Sequence, residues 1–204
     1  MGSARRSRRA IVVGGGPAGA ATAWALATAG VEVVVLDRAR FPRDKPCGEY
    51  LSPQASRVLA AMGALERVER AGGAQLGGMV VRAPSGDEIH GQFAASHGFR
   101  GFRDRGLALR RTLLDAILLD CARAAGAQVR EGVKVVDLAR DARSGRVTGV
   151  RVASGARGAT ETLDAALVVG ADGLRSVVAR RLGVARSSRW PRRVALVTHY
   201  RGVA

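Results

Sequence analysis

Residues 10–38 read AIVVGGGPAGAATAWALATAGVEVVVLDR, and the glycines at 14, 16 and 19 constrain the fold more than any other feature. Four apolar residues precede them, an Ala-rich stretch follows and closes at Gly30, and a second apolar run ends in Asp37. The pattern predicts a buried strand (10–13), a tight turn, a helix (18–30) and a second strand (31–37). That context turns a weak glycine spacing into a specific one for a dinucleotide. Gly14 permits the turn out of the strand. Gly16, without a side chain, lets a pyrophosphate approach the backbone, and Gly19 lets helix and sheet pack closely. Pro17 and Ala18 complete the turn at the helix start, where unpaired N–H groups and the positive dipole end attract phosphate. Asp37 stands where a carboxylate accepts hydrogen bonds from ribose hydroxyls.

The same stretch carries no charged side chain from Ala10 to Val31, and Arg5, Arg6, Arg8 and Arg9 precede it. A membrane span or export signal would look similar at first sight. GGGPAG breaks a continuous apolar helix near its start, and no clear cleavage site follows. No transmembrane segment is expected, and the cytoplasm is the expected compartment. Cys47 and Cys121 form no disulfide framework. Neither they nor His90, His97 and His199 have metal-ligand spacing, so no metal is expected.

The net charge is +16, from 33 basic and 17 acidic residues. Only Lys45 and Lys134 are lysine. The charge is spread along the chain without interleaved aromatics or a helix-turn-helix pattern, so no specific nucleic-acid partner is expected.

Beyond the opening unit, 39–51 reads as a loop, and 53–62 as a helix with Ser52 as N-cap and Pro53 in its first turn. GGMVVRAP and DEIHGQF flank the turn PSGD as a hairpin. Residues 110–127 form an amphipathic helix with Leu113, Leu114, Ile117, Leu118 and Cys121 on one side. Strands at 133–140, 146–153 and 160–164 read as a meander. AALVVGADG (165–173) repeats the strand-into-glycine theme, 174–183 is a helix, and RRVALVTHYRGV (192–203) is a strand. The leucines of the 110–127 helix and Cys121 are core rather than site.

The order GGGPAG, acidic strand end, KPCGEYLSP, LRRTLLDAILLDCARAAGA, VVGADGLRS resembles the N-terminal half of FAD-dependent oxidoreductases of the para-hydroxybenzoate hydroxylase fold. CGEYLSP is most similar to the branch holding geranylgeranyl reductases and monooxygenase-like enzymes. The resemblance covers residues 9–203. It implies an α/β fold: a Rossmann-like FAD-binding domain, with a parallel sheet and a β-meander, plus part of a mixed-sheet substrate domain. The implied organisation is a basic arm (1–8), an FAD-binding βαβ unit and loop (9–71), a substrate-domain insertion (72–106), the FAD-binding domain continued (107–185) and the start of a further substrate-domain strand (186–204). The resemblance also implies a continuation past residue 204 with a GDA-type motif and the rest of the substrate sheet.

By the same resemblance, Gly14, Gly16, Pro17, Ala18 and Gly19 hold the FAD pyrophosphate and Asp37 the adenosine ribose. Arg38 lies near the adenine end, and the Val135 backbone meets the adenine. Arg111 contacts the flavin's phosphate and ribityl region. Asp172 contacts FAD, and Gly173 keeps the backbone close to it. Cys47, Gly48 and Glu49 fall at the flavin and substrate side, with Cys47 a reactive thiol or a half-buried loop residue, and Glu49 an acid or substrate ligand. The implied activity is NAD(P)H-dependent: hydroxylation of a small organic, polyketide or aromatic-like substrate, or reduction of a carbon–carbon double bond. The alternative for this chain is an FAD- or ADP-binding fragment without catalysis.

Overall fold

A computed structural model of the chain describes residues 9–93, 101–154, 159–186, 194–200 and 202. In chain order the elements are β1 (Ala10–Val13), α1 (Pro17–Thr28), β2 (Val33–Asp37), β3 (Tyr50–Leu51), α2 (Ala55–Ala61), α3 (Leu65–Arg70), β4 (Ala74–Leu76), β5 (Gly78–Arg82), β6 (Glu88–Gln92), β7 (Gly106–Ala108), α4 (Arg111–Ala124), β8 (Gln128–Glu131), β9 (Val135–Arg140), β10 (Val147–Ala153), β11 (Thr160–Asp164), β12 (Leu167–Gly170) and α5 (Val177–Arg181).

The centre is a parallel sheet in the order β12-β1-β2-β8. Period-two alternation sends successive side chains to opposite faces. Ala10, Val12, Val33 and Val35 pack with Ala20 and Ala23 of α1 and with Leu114, Leu118, Leu119 and Cys121 of α4. Ile11, Val13, Val34 and Leu36 pack with Val135, Leu138, Val150 and Val152 of the β11-β10-β9 meander and with Val178 of α5. Both faces are covered, so β1 and β2 read as continuous apolar runs. Two smaller antiparallel groups complete the structure: β3-β7-β4 and the hairpin β5-β6. The α/β class with a parallel sheet and a meander is as expected.

Several elements differ from the sequence reading. Residues 128–131 are not a lead-in to the meander. They add a fourth parallel strand beside β2, with α4 as the crossover. The helix expected over 53–62 begins at Ala55, and Ser52 accepts the Ala55 N–H in the turn before it. The helix expected over 174–183 is confined to Val177–Arg181. The strand expected over 192–203 is absent where it can be checked: 194–200 carries no secondary structure. Its alternating apolar residues have no ladder partner among the described residues, and Leu196 is 93% exposed. Residues 1–8, 94–100 (with His97) and 187–193 (with Trp190) lie outside the described residues.

Candidate functional site

Three strand ends meet on one edge of the parallel sheet. The Gly14 N–H donates to the Leu36 carbonyl and the Ala171 N–H to the Val13 carbonyl, each at 2.8 Å. These bonds tie the turns after β1 and β12 to their neighbouring strands. The Gly15 N–H donates to Asp37 Oδ2 at 2.7 Å and the Ala39 N–H to Oδ1 at 2.8 Å. Asp37 is thus buried at the end of β2 and anchors the glycine loop with one oxygen.

The three glycines of the spacing serve different ends. Gly14 has φ +104, and a Cβ there would meet the Ala171 carbonyl oxygen at 2.4 Å. A Cβ on Gly19 would fall 1.8 Å from the Gly14 carbonyl oxygen. Both are fixed by packing of the protein on itself. Gly16 is not: the nearest atoms to its Cβ position are Nη2 of Arg111 and Nη2 of Arg43, both at 3.6 Å. Its open side faces two guanidinium groups. Gly16 is also the N-cap of α1, no side chain caps that end, and Pro17 follows it. The first-turn N–H groups of an uncapped helix are open to an anion.

The guanidiniums are held from below by one carboxylate. Arg111 donates through Nε and Nη2 to Asp115 Oδ1 and Oδ2 at 2.6 and 2.9 Å. Arg43 Nη1 lies 3.1 Å from Asp115 Oδ2, yet it is buried and donates a hydrogen bond to nothing among the described residues. The Arg43 guanidinium stacks over Phe41 at 4.9 Å. Asp115 is fully buried. The bidentate bond from Arg111 to Asp115 raises the arginine's pKa above its ordinary value, with a smaller contribution from the Cys47 sulfur beside it.

Cys47 and Glu49 reach the same corner. The Glu49 N–H donates to Cys47 Sγ at 3.4 Å. Glu49 Oε1 accepts the Arg111 N–H at the start of α4, and Oε2 lies 3.1 Å from His199 Nε2. Glu49 has φ +58, a region that side chains other than Gly rarely adopt. Both carboxylate oxygens are engaged inside the protein. Gly48, between them, is exposed.

The remaining residues spread around the edge. Arg38 is exposed directly after Asp37. Gly132 and Val133 donate to the Ala39 and Asp37 carbonyls at 3.1 and 2.8 Å. These bonds bring the segment before Val135 beside the end of β2; the Val135 side chain itself is core. Asp172 does something the sequence reading did not foresee. Its Oδ1 accepts the Ser176 hydroxyl and its Oδ2 the Val177 N–H, each at 2.5 Å, so the carboxylate caps α5. Gly173 has φ +77 with nothing near its Cβ position. Conformation, rather than close approach, explains glycine there.

Arg43 was missed by the sequence reading, although it stands in a run of basic residues (38, 40, 43, 45) next to Asp37. Asp115 was readable as a charge on the buried face of an amphipathic helix, four residues from Arg111. Among the described residues no group of His, Cys, Asp or Glu could hold a metal ion, and no helix is long and apolar enough to cross a membrane.

The chain is similar to several known proteins. The menaquinone reductase of Mycolicibacterium smegmatis is 38% identical over 85% of the chain and 39% of its own length. The rifampicin monooxygenase of Streptomyces venezuelae is 36% identical over 86% of the chain and 34% of its length. The chloroplastic geranylgeranyl diphosphate reductase of Nicotiana tabacum is 32% identical over 87% and 36%. Among solved structures, Pseudomonas aeruginosa PqsL with bound 2-aminobenzoylacetate superposes with a TM-score of 0.73 at 27% identity, over 90% of this chain and 48% of that one. The chain thus spans about two fifths of the length of the curated relatives it matches. The family model described as FAD binding domain matches residues 8–197, all but the two ends of the sequence, and the chain therefore belongs to that family.

Proposed function

We propose that the chain is the FAD-binding part of an NAD(P)H-dependent flavoprotein oxidoreductase of the monooxygenase type, acting on a small organic, polyketide or aromatic-like substrate. One observation carries the FAD assignment: the open side of Gly16 faces two guanidiniums at an uncapped helix start. Arg43 Nη1 points the same way: its ion pair with Asp115 Oδ2 lacks hydrogen-bond geometry, so a buried donor keeps hydrogen-bonding capacity that a phosphate oxygen would use. These residues fit a diphosphate. Gly14, Gly16, Pro17, Ala18 and Gly19 would form its loop, with Arg111 as cation. Asp37 keeps lone pairs for a ribose hydroxyl. Arg38 and the backbone near Val135 border the adenine end. Asp172 supports the site indirectly by fixing the turn at Gly173.

FAD, held by these residues, would supply the redox chemistry, with NAD(P)H as the hydride source and oxygen or an alkene as the acceptor. The protein's own residues bind, orient and screen it. Cys47 lies beside the Arg111 guanidinium, on the same loop as Arg43. Glu49 shapes the loop that carries Cys47. The cytoplasm suits two unpaired cysteines.

A second reading, reduction of a carbon–carbon double bond, is favoured by CGEYLSP and by the two relatives named as reductases. A third reading is ligand binding without turnover. Adding FAD to the purified 204-residue chain tests the shared core of all three. Retention of flavin absorbance through gel filtration is expected, and a chain that stays colourless contradicts it. Oxygen consumption on addition of NAD(P)H and substrate, assayed with the full-length protein, separates the first two readings.

A further inference from the structure

We propose that Arg43 is a direct phosphate ligand and that Asp115 is the positioning residue which holds Arg43 and Arg111 together as one diphosphate clamp. The proposal rests on the FAD reading above and goes beyond it by assigning two residues that the glycine spacing does not include.

Geometry is the first argument. The two arginines come from elements 68 residues apart in sequence, the loop after β2 and the start of α4, yet both place Nη2 at the same distance from the Gly16 side position. One buried carboxylate lies under both. The Phe41 ring fixes the Arg43 plane by a cation–π contact.

Charge is the second. Two guanidiniums stand at the open side of Gly16 over Asp115, while the other two carboxylates of this corner, Asp37 and Glu49, are engaged by backbone N–H groups and by His199. A dinucleotide's diphosphate carries about two negative charges, and the α1 N-terminus adds a favourable partial charge. A diphosphate therefore completes the cluster electrostatically, whereas a neutral nucleoside does not.

Cost is the third. A buried ion pair is weak support for stability, because desolvation offsets most of the attraction. An apolar residue at position 115 would suit a helix face lined by Leu114, Leu118 and Leu119. The second arginine meets Asp115 only in an ion pair without hydrogen-bond geometry, so its buried Nη1 adds to the desolvation cost without a full hydrogen bond in return. Function explains the arrangement better than packing does. The exposed Arg38 has no such constraint, although it is nearer the glycine loop in sequence.

Calorimetric titration of the 204-residue chain with FAD, ADP and adenosine tests this. Arg43→Gln is expected to weaken FAD and ADP about 10- to 100-fold, the range for a lost charge-assisted hydrogen bond, with adenosine unchanged. Arg43→Lys should restore only part of that loss, since an ammonium lacks the planar fork. Asp115→Asn gives opposite signs for two explanations. Removing a negative charge alone would strengthen ADP binding; losing the support of both guanidiniums should weaken it about 10-fold. Equal ADP affinity in Arg43→Gln and the unaltered chain overturns the clamp while leaving the FAD reading intact. Stronger ADP binding in Asp115→Asn overturns the positioning role. If Asp115→Asn does not fold, the two Arg43 variants, altered at a loop position, still decide the clamp. No saturable binding of FAD or ADP by the unaltered chain overturns both readings.

Discussion

Strands β1 and β5 are both short and apolar, and they meet opposite fates. Ala10–Val13 is buried along its whole length. In Gly78–Arg82 the residues Met79, Val80 and Val81 are each about half exposed, and Ile89 on the paired strand is 71% exposed. The difference lies in coverage rather than composition. β1 has a parallel neighbour on each side, two helices on one face and the meander on the other. Among the described residues β5 has β6 as its one strand partner and no covering layer. A two-stranded hairpin is marginal alone, while a strand covered on both faces is held by everything around it. The edge that carries the glycine loop is built on the covered part. Its glycines and arginines are positioned by packing that does not depend on the hairpin.

Substitutions can break or sharpen this contrast. Gly19→Val should have the largest effect, because even a Cβ there would overlap the Gly14 carbonyl. A soluble, cooperatively melting variant would contradict the close approach of α1 to the loop. Next is a matched pair. Ile11→Ala, at a fully buried position, should cost about 2–5 kcal/mol in urea unfolding. Ile89→Ala on the exposed hairpin should stay within about 0.5 kcal/mol. Equal losses would mean that the hairpin is as well covered as the sheet.

The smallest effect concerns pH. Hydrogen bonds from Gln75 and Arg103 hold the Glu69 carboxyl below its ordinary value of 4.5 and link α3 to β4 and the 101–105 segment. A carboxylate with a depressed pKa stabilises the fold above its unfolded value, and this stability is lost as pH falls through the folded value. Glu69→Gln should therefore lower stability at pH 7 by less than about 1 kcal/mol, because the group is largely solvated. The gap from the unaltered chain should close below pH 4.5. A gap that widens on acidification would contradict the assignment.

Much of the covered part was legible in the sequence, for the reason that makes it stable. β1, the glycine turn, α1 and β2 are contiguous, so their apolar runs and breakers stand in order. Arg111 was legible through the family resemblance. What escaped depends on tertiary partners. Gln128–Glu131 is a short edge strand with little apolar content, visible only through its pairing with β2. Arg43 and Asp115 are 72 residues apart, and nothing local tells a phosphate-facing arginine from its exposed neighbours. Asp172 lies beside a glycine in a motif that suggests ligand contact, but Ser176 and the α5 backbone claim its oxygens. In 194–200 the alternation of a strand is present and the ladder partner is not.

The central claim is that Gly16 is kept bare for a ligand, while Gly14 and Gly19 are kept bare for the protein. Comparing Gly16→Val with the unaltered 204-residue chain, by thermal melting and by FAD titration, tests it most directly. A Cβ at this position meets no backbone atom within 4 Å, so the stability loss should stay within about 2 kcal/mol, the range for a poorer N-cap residue, and well below that of Gly19→Val. FAD affinity should fall by about 1.4–2.8 kcal/mol, which is 10- to 100-fold. A variant that binds FAD as tightly as the unaltered chain would contradict the account.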